Sequence, residues 1–574
     1  MQYPKISEYV KASQDASDNL DMSTEATNAE LNESITDEFG VKYSKDGRKL
    51  LKAPQELNGT YSIRKGTKII CDRAFADCIS LRSIVIPDGV TSIEDSAFSG
   101  CKSLESLVLP ESVGNIIGNP FCWWDGELKC LSPYFIYDNK VLFNKDKSKI
   151  IAFRDKNTTS YVISDYVTSI GNDAFCGCES LRSIVIPDSV TSIGDGAFFF
   201  CESLISIVIP DSVTSIGDCA FDYCESLRSI VIPDSVTRIG DSAFNGCSSL
   251  RSIVIPDSVT SIGDSAFNGC SSLSSVVIPD SVTSIGNSAF NGCESLSSVV
   301  ISDSVTSIGE RAFEGCSSLS SLVIRAIGAS IVDRDFKGCI SLCCLAIHAK
   351  IVISDGVTSI GDDALRGCTS LTDIVIPDSV TCIGERAFEG CSSLSSLVIP
   401  DSVTSIGNSA FSGCSSLTDI VIPDSVTSIG DSAFRGCRSL TSLVIPDSVT
   451  SIGDCAFDDC CSLTNIVIPY SIVDIMSIAF KGCDLLRSVV LHASGSVIWD
   501  GAFWGCDFLR SIVFHVKIVL PDGITSIGDG AFDYCESLRS IVIPDSVTSI
   551  GDRAFEGCSS LSSLVIPDSS QSRQ

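Results

Sequence analysis

The 574-residue chain has 71 acidic and 40 basic residues, a formal charge of −31 and a pI near 4.4. A surface this acidic repels phosphate backbones and anionic lipid, which argues against nucleic acid and membrane surfaces as partners. No run of about 20 apolar residues is present to cross a bilayer, so membrane insertion is not expected.

Residues 1–40 are polar, with nine acids against two bases, and read as a flexible acidic leader with room for one helix near Ile6–Ala12. The first ten residues, M-Q-Y-P-K-I-S-E-Y-V, lack the basic start and apolar core of a secretion signal. Taken alone they read as cytoplasmic.

Residues 41–70 form a separate module, V-K-Y-S-K-D-G-R-K-L-L-K-A-P followed by T-Y-S-I. An offset of 100 residues reproduces it as V-L-F-N-K-D-K-S-K-I-I-A-F, pairing Tyr43 with Phe143, Asp46 with Asp146, Leu50 with Ile150 and Tyr61 with Tyr161. K-D-G and K-D-K between alternating apolar residues mark hairpin turns. The first copy is expected to cap the N-terminal end of an array whose first repeats occupy 71–128. The second, within 129–164, is expected as a hairpin insertion.

The main array, 165–568, repeats S-L-R-S-I-V-I-P-D-S-V-T-S-I-G-D-S-A-F-N-G-C-S, Ser249 to Ser271, about every 23 residues, ahead of a polar tail at 569–574. Counting the phenylalanine slot from Phe75 to Phe555 gives 20 units, with Leu365 as the one substitution. A period this short indicates a solenoid, in which each unit buries its apolar face only against its neighbours. Within Ser249–Ser271, Leu250, Ile253 and Ile255 alternate inward along one strand. Pro256 and Asp257 end it, because proline donates nothing to a ladder. Val259 and Ile262 form a second short strand, and Gly263 permits a tight corner. Asp264 is placed to cap a helical turn over Ser265–Asn268, and Phe267 and Cys270 close the core.

Of the 29 cysteines, 19 occupy the slot three residues after the phenylalanine, as at Cys247, Cys270 and Cys293. A fixed apolar slot suits cysteine as a small buried hydrophobe. Coils stacked about 4.8 Å apart with parallel Cβ vectors give poor disulfide geometry. The ladder also lacks the paired C-x-x-C knuckles and nearby histidines of a zinc site. No metal or cofactor is expected.

The pattern L-x-x-I-x-I-P-x-S-V-T-x-I-G-x-x-A-F-x-x-C resembles the BspA-like class of leucine-rich repeats over roughly residues 60–568. The resemblance implies a β-rich (α/β) leucine-rich-repeat solenoid: a curved right-handed coil with a parallel concave sheet, a second short strand and one helical turn per repeat. It also implies a cell-surface or secreted protein that binds proteins of host or neighbouring cells. The missing export signal departs from that pattern and keeps an intracellular scaffold as the alternative.

Candidate partner-binding residues follow from the strand phase and from breaks in the repeat. The slot of Val254, Val277 and Val300 points outward, so a valine stripe is expected along the sheet; such a stripe marks a binding surface or simply reflects β-propensity. His348, His492 and His515 replace or closely follow the strand-ending proline in two irregular patches, near 325–355 and 470–522. They lie several coils apart, too far to share a metal. Trp123 and Trp124 sit at the first break and Trp499 and Trp504 in the second patch, as interface anchors or as space-fillers, with Trp504 assigned to the latter beside Phe503. The recurrent acids at the Asp257 and Asp264 slots are explained by turns rather than catalysis, and no nucleophile motif, phosphate loop or acid–base pair stands outside the repeat. The expected function is a non-enzymatic protein-binding scaffold of adhesin type, with weak end-to-end self-association through an uncapped last coil.

Overall fold

The computed structural model describes residues 26–302, 304–324, 336–337, 339, 351–353, 357–469, 471–472, 476–491, 497–509, 518–519 and 524–566. The chain divides into two compact units, Met1–Arg154 and Asp155–Gln574.

In the first unit, residues 26–40 of the expected leader are folded. Thr27 and Glu30 form a reciprocal capping box on the short helix Asn28–Asn32, and Ile35–Thr36 pairs antiparallel with Lys42–Tyr43. Lys42–Tyr43 in turn pairs antiparallel with Lys49–Lys52, which starts a parallel series through Ile69–Ile70, Ser92–Ile93 and Asn115–Ile116. Tyr43 and Tyr61 are buried at this end with their hydroxyls hydrogen-bonded, and the Tyr61 hydroxyl donates to Asp37 Oδ2 at 2.7 Å. The copy of this hairpin at Phe135–Asp138, Val141–Asn144 and Lys149–Phe153 is antiparallel throughout. Both expected turns carry a left-handed residue at the matching position, Gly47 (φ 71°) and Lys147 (φ 62°).

The second unit is a parallel β-solenoid. Strands such as Ser229–Val231, Ser252–Val254 and Ser275–Val277 stack in register at successive coils, so Val231 faces Val254 and Val254 faces Val277. The short second strands, such as Arg238–Ile239, Ser261–Ile262 and Ser284–Ile285, do the same. Leu250, Ile253, Ile255, Val259, Ile262, Phe267 and Cys270 are all buried. The phenylalanines stack from coil to coil on either side of Leu365, with 5.4 Å from Phe244 to Phe267 and 5.2 Å from Phe267 to Phe290. Burying each such ring contributes roughly 1.5–3 kcal/mol before entropy is counted.

The third wall differs from the expected helical turn. Ser265, Phe267 and Gly269 donate their backbone N–H groups to Asn287, Ala289 and Asn291 of the next coil, each at 2.7 Å. A helix would point those donors along its own axis. Alternation is achieved by left-handed residues at Ser265 (φ 53°) and Gly269 (φ 70°), which break the segment into linked turns. Gly263 is needed for a different reason than a tight corner. A Cβ there would stand 2.7 Å from the backbone nitrogen of Asp241 in the preceding coil, so the glycine allows close approach between coils.

Asp264 likewise acts across coils rather than as a cap on its own turn. The Asp264 N–H donates to Asp241 Oδ1 at 3.0 Å, and Asp264 Oδ1 accepts from the Asn287 N–H at 2.7 Å. Asp195, Asp218 and Asp241 likewise accept a backbone N–H from the next coil, which offsets the repulsion between stacked acids. The serine of D-S-V-T works the same way, with Ser258 Oγ donating to the Val236 carbonyl at 2.6 Å.

Two six-residue insertions leave the stack intact. Phe336 N–H donates to the Ala364 carbonyl at 2.8 Å across the first, and Phe503 and Phe532 stack at 5.6 Å across the second. Beside the first, Asp363 is buried between Arg386 (2.9 Å) and Arg366 (3.2 Å), and Arg366 also reaches Glu389 at 3.0 Å.

Candidate protein-binding surfaces

The outward slot of the first strand is open. Val254 and Val277 are each 71% exposed and Val300 48%, between exposed serines and the buried Ile253 and Val276. The column continues through Val162, Val185, Val208 and Val231 on one side and Val375, Val398, Val421 and Val444 on the other. Alternation along each strand places these methyl groups outward, and parallel register aligns them from coil to coil. An apolar strip of this length on a strongly acidic protein is a candidate contact surface.

The tryptophans separate into two classes. Trp124 is only 1% exposed and does not belong to a binding surface. It occupies the cysteine slot of the Phe121 coil, donates its indole N–H to the Leu104 carbonyl at 2.7 Å and packs against the Phe121 ring. The Arg154 guanidinium lies 4.1 Å from its ring centroid and donates to the Gly126 carbonyl at 2.7 Å, closing this coil from the far side. Counting three residues on from Phe121 reveals the slot. Trp123 is half-buried and takes the left-handed glycine slot (φ 53°). Trp499 and Trp504 are both exposed, so Trp504 is not the space-filler expected from its place beside Phe503. Leu485 and Phe508 are also exposed, and neither is among the residues expected from the sequence. They stand where neighbouring repeats have serine, a signal visible only when each slot is read down its column. His348, His492 and His515 lie outside the described residues.

The cysteine ladder is chemically quiet. Cys270 Sγ donates to the Phe244 carbonyl of the preceding coil at 3.2 Å, and the same contact recurs at Cys247, Cys293 and Cys414. Burial pushes these thiols well above their ordinary range, Cys414 to about 12. Cys382, by contrast, is exposed on the second strand. We expect a native-state titration with a thiol-reactive disulfide at pH 8 to modify Cys382 rapidly and the fully buried ladder thiols, such as Cys270 and Cys414, only on unfolding. Rapid modification of Cys270 or Cys414 would contradict their burial. Among the described residues no group of three or more His, Cys, Asp or Glu side chains is placed to hold a metal, and no helix is long and apolar enough to cross a membrane.

The BspA-type leucine-rich repeat region is matched in six copies, over residues 59–124, 149–274, 214–343, 344–460, 427–519 and 515–574. The chain belongs to this leucine-rich-repeat family. A leucine-rich repeat protein from Bacteroides ovatus is 31% identical over 64% of this chain and 88% of its own, with a TM-score of 0.52. A leucine rich cell surface protein from Faecalibacterium prausnitzii is 34% identical over 63% of this chain and 96% of its own, with a TM-score of 0.42. No curated protein matches the chain. The inward leucine and isoleucine slots of the BspA-type repeat are the buried strand residues described above. Its outward slots carry the valine column.

Proposed function

We propose that this BspA-type protein is a non-enzymatic scaffold that recognises proteins through its strand face, in the manner of an adhesin. The observation that supports the reading is the valine column, exposed over successive coils and held in register by the parallel sheet. Each Val contributes little; their alignment gives a flat apolar strip with a serine border, suited to an extended protein surface. An intracellular scaffold is the alternative that many unpaired thiols would favour, since reducing compartments preserve them. The ladder thiols carry little weight for it, because burial and hydrogen bonding to carbonyls make them inert in either compartment.

The test is capture by immobilised matrix and cell-surface proteins, comparing the wild-type chain with a Val254→Lys/Val277→Lys double variant. Saturable binding weakened at least about tenfold by the variant is the expected result, since a buried lysine at a contact centre leaves its charge desolvated. No saturable binder, or binding unchanged by the two lysines, would remove the strand-face reading.

Weak end-to-end association is part of the same proposal. Leu564 is exposed on the Ser563–Val565 strand, whereas its counterpart one coil earlier, Ile541, is buried. A mass by light scattering that stays monomeric at high concentration would dismiss it.

A further inference from the structure

The turn wall of the second unit is polar along most of its described length, and its pattern breaks over three consecutive coils. Five residues after the ladder phenylalanine the repeats place serine, as at Ser272, Ser295, Ser416 and Ser439, but the Phe480 and Phe503 coils place Leu485 and Phe508 there. One residue after the phenylalanine, where Asn268 and Asn291 stand elsewhere, is Trp504. Four residues before it, the close-approach glycine is replaced by Trp499. In the Phe532 coil the left-handed glycine slot holds Tyr534 at φ 57°, a conformation that a bulky residue rarely adopts. Leu485, Trp499, Trp504, Phe508 and Tyr534 are each between 40% and 50% exposed. Backbone bonds from Gly482 to Trp504, from Phe508 to Asp484 and from Gly505 to Asp533 stack these coils directly upon one another. The five side chains thus fall on neighbouring rungs about 4.8 Å apart.

A column of acids runs beside them. Asp484, Asp507 and Glu536 occupy the same slot in the three coils, immediately before Leu485, Phe508 and Ser537. Among the described residues none of the three has an ion-pair partner. Burial and the neighbouring Asp507 and Asp459 hold the Asp484 carboxyl above its ordinary range, so a cation brought here relieves repulsion. One ring already shows the preference: Lys481 Nζ lies 4.8 Å from the Trp504 centroid. Aromatic substitutions beside an acid column also occur at Phe199, Phe200 and Tyr223, next to Glu179, Glu202 and Glu225, so the conjunction is not peculiar to one coil.

We propose that this patch docks a lysine- or arginine-bearing segment of a protein partner, with the rings taking the alkyl stems and cationic heads and the three acids taking the charge. The inference rests on the protein-recognition reading and names the partner's chemistry, but it uses a different wall from the valine column. Exposed apolar rings give contact area, and a like-charged acid border selects against anionic or uncharged segments.

The test uses the full chain and three short peptides of equal length, with Lys and Arg, with Glu, or with Ser and Leu between glycines, read by tryptophan fluorescence at about 0.15 M salt. Phe508→Ser and Trp504→Asn restore the residues that other coils carry at those slots, so the variants are expected to keep the native circular dichroism. We expect saturable binding of the basic peptide alone, weakened about tenfold in the Phe508→Ser/Trp504→Asn variant and severalfold in Asp484→Asn/Asp507→Asn, and unchanged in Val254→Lys/Val277→Lys. Equal binding of the uncharged or acidic peptide would overturn the proposal. So would basic-peptide binding undiminished in Phe508→Ser/Trp504→Asn, which would mean diffuse attraction to the acidic surface. If the basic peptide fails while a matrix protein is still captured through the valine column, this inference falls and the strand-face reading stands. Basic-peptide binding lost in Phe508→Ser/Trp504→Asn, with no capture through the valine column, supports the patch and removes the strand face.

Discussion

Phe267→Ala is expected to destabilise its segment by about 3–5 kcal/mol, as large-to-small changes of buried aromatic residues do. The ring is fully buried and lies between Phe244 at 5.4 Å and Phe290 at 5.2 Å, so its loss removes two stacking contacts and leaves a void between coils. A solenoid has no other core to compensate, because each coil touches only its neighbours. The same one-dimensional coupling means the damage weakens the junction between the coils before and after it. Urea unfolding followed by circular dichroism should therefore change from one transition to two, the weaker segment melting first. Phe267→Leu is the control. Leu365 occupies this slot and is buried, with its neighbours Phe336 and Phe388 in adjoining coils, so leucine should cost less than about 1.5 kcal/mol. An alanine variant that unfolds in one transition at the wild-type midpoint would show that the ring stack does not carry the coupling.

Much of this is legible in the sequence because repetition displays each slot twenty times. The alternation of Leu250, Ile253 and Ile255, the break at Pro256 and the inward Val259 and Ile262 each follow from a local rule, and the rule acts within one coil. What escapes reading acts between coils. Asp264 resembles a cap when viewed along the chain, yet its oxygen accepts from the residue 23 positions later. Gly263 resembles a corner, yet the atom that excludes a side chain belongs to the coil before. The positive φ at Ser265 serves a hydrogen bond to the next coil, which no helix propensity expresses. The candidate surface divides the same way. Outward valines follow from strand phase, so Val254 and Val277 can be placed from sequence alone. Trp124 is easily missed, because its neighbourhood looks irregular although counting three residues on from Phe121 puts it in the buried cysteine slot. Leu485 and Phe508 stay hidden because a single leucine or phenylalanine in an apolar-rich patch means nothing until set against the serines stacked with it.

Asp222→Asn is expected to stabilise the protein at neutral pH, with the gain growing from near zero at pH 4 to its maximum above pH 8. Asp222 stands one residue after Phe221, in the slot that holds Asn245, Asn268 and Asn291 in the following coils. It is buried, and its only side-chain partner among the described residues is the Asn245 amide, which donates to Oδ1 at 2.9 Å. Desolvation outweighs that bond and the Tyr223 backbone N–H, and raises the carboxyl from 3.8 to about 8. The folded state therefore holds a proton that the unfolded chain releases near pH 4. The stability this proton confers is complete below pH 3.8, declines as pH rises toward 8, and is gone above it, with a slope of at most about 1.4 kcal/mol per pH unit. Asparagine has the same shape and keeps an acceptor for Asn245, but it has no charge to bury. Allowing for relaxation around the carboxylate, the difference at pH 7 should be about 1–3 kcal/mol. Paired urea midpoints for wild type and variant at several pH values between 4 and 8.5 measure it, and the other acids cancel because both chains share them. A difference that stays constant with pH would mean that Asp222 is already ionised in the folded coil, held by a donor stronger than one amide.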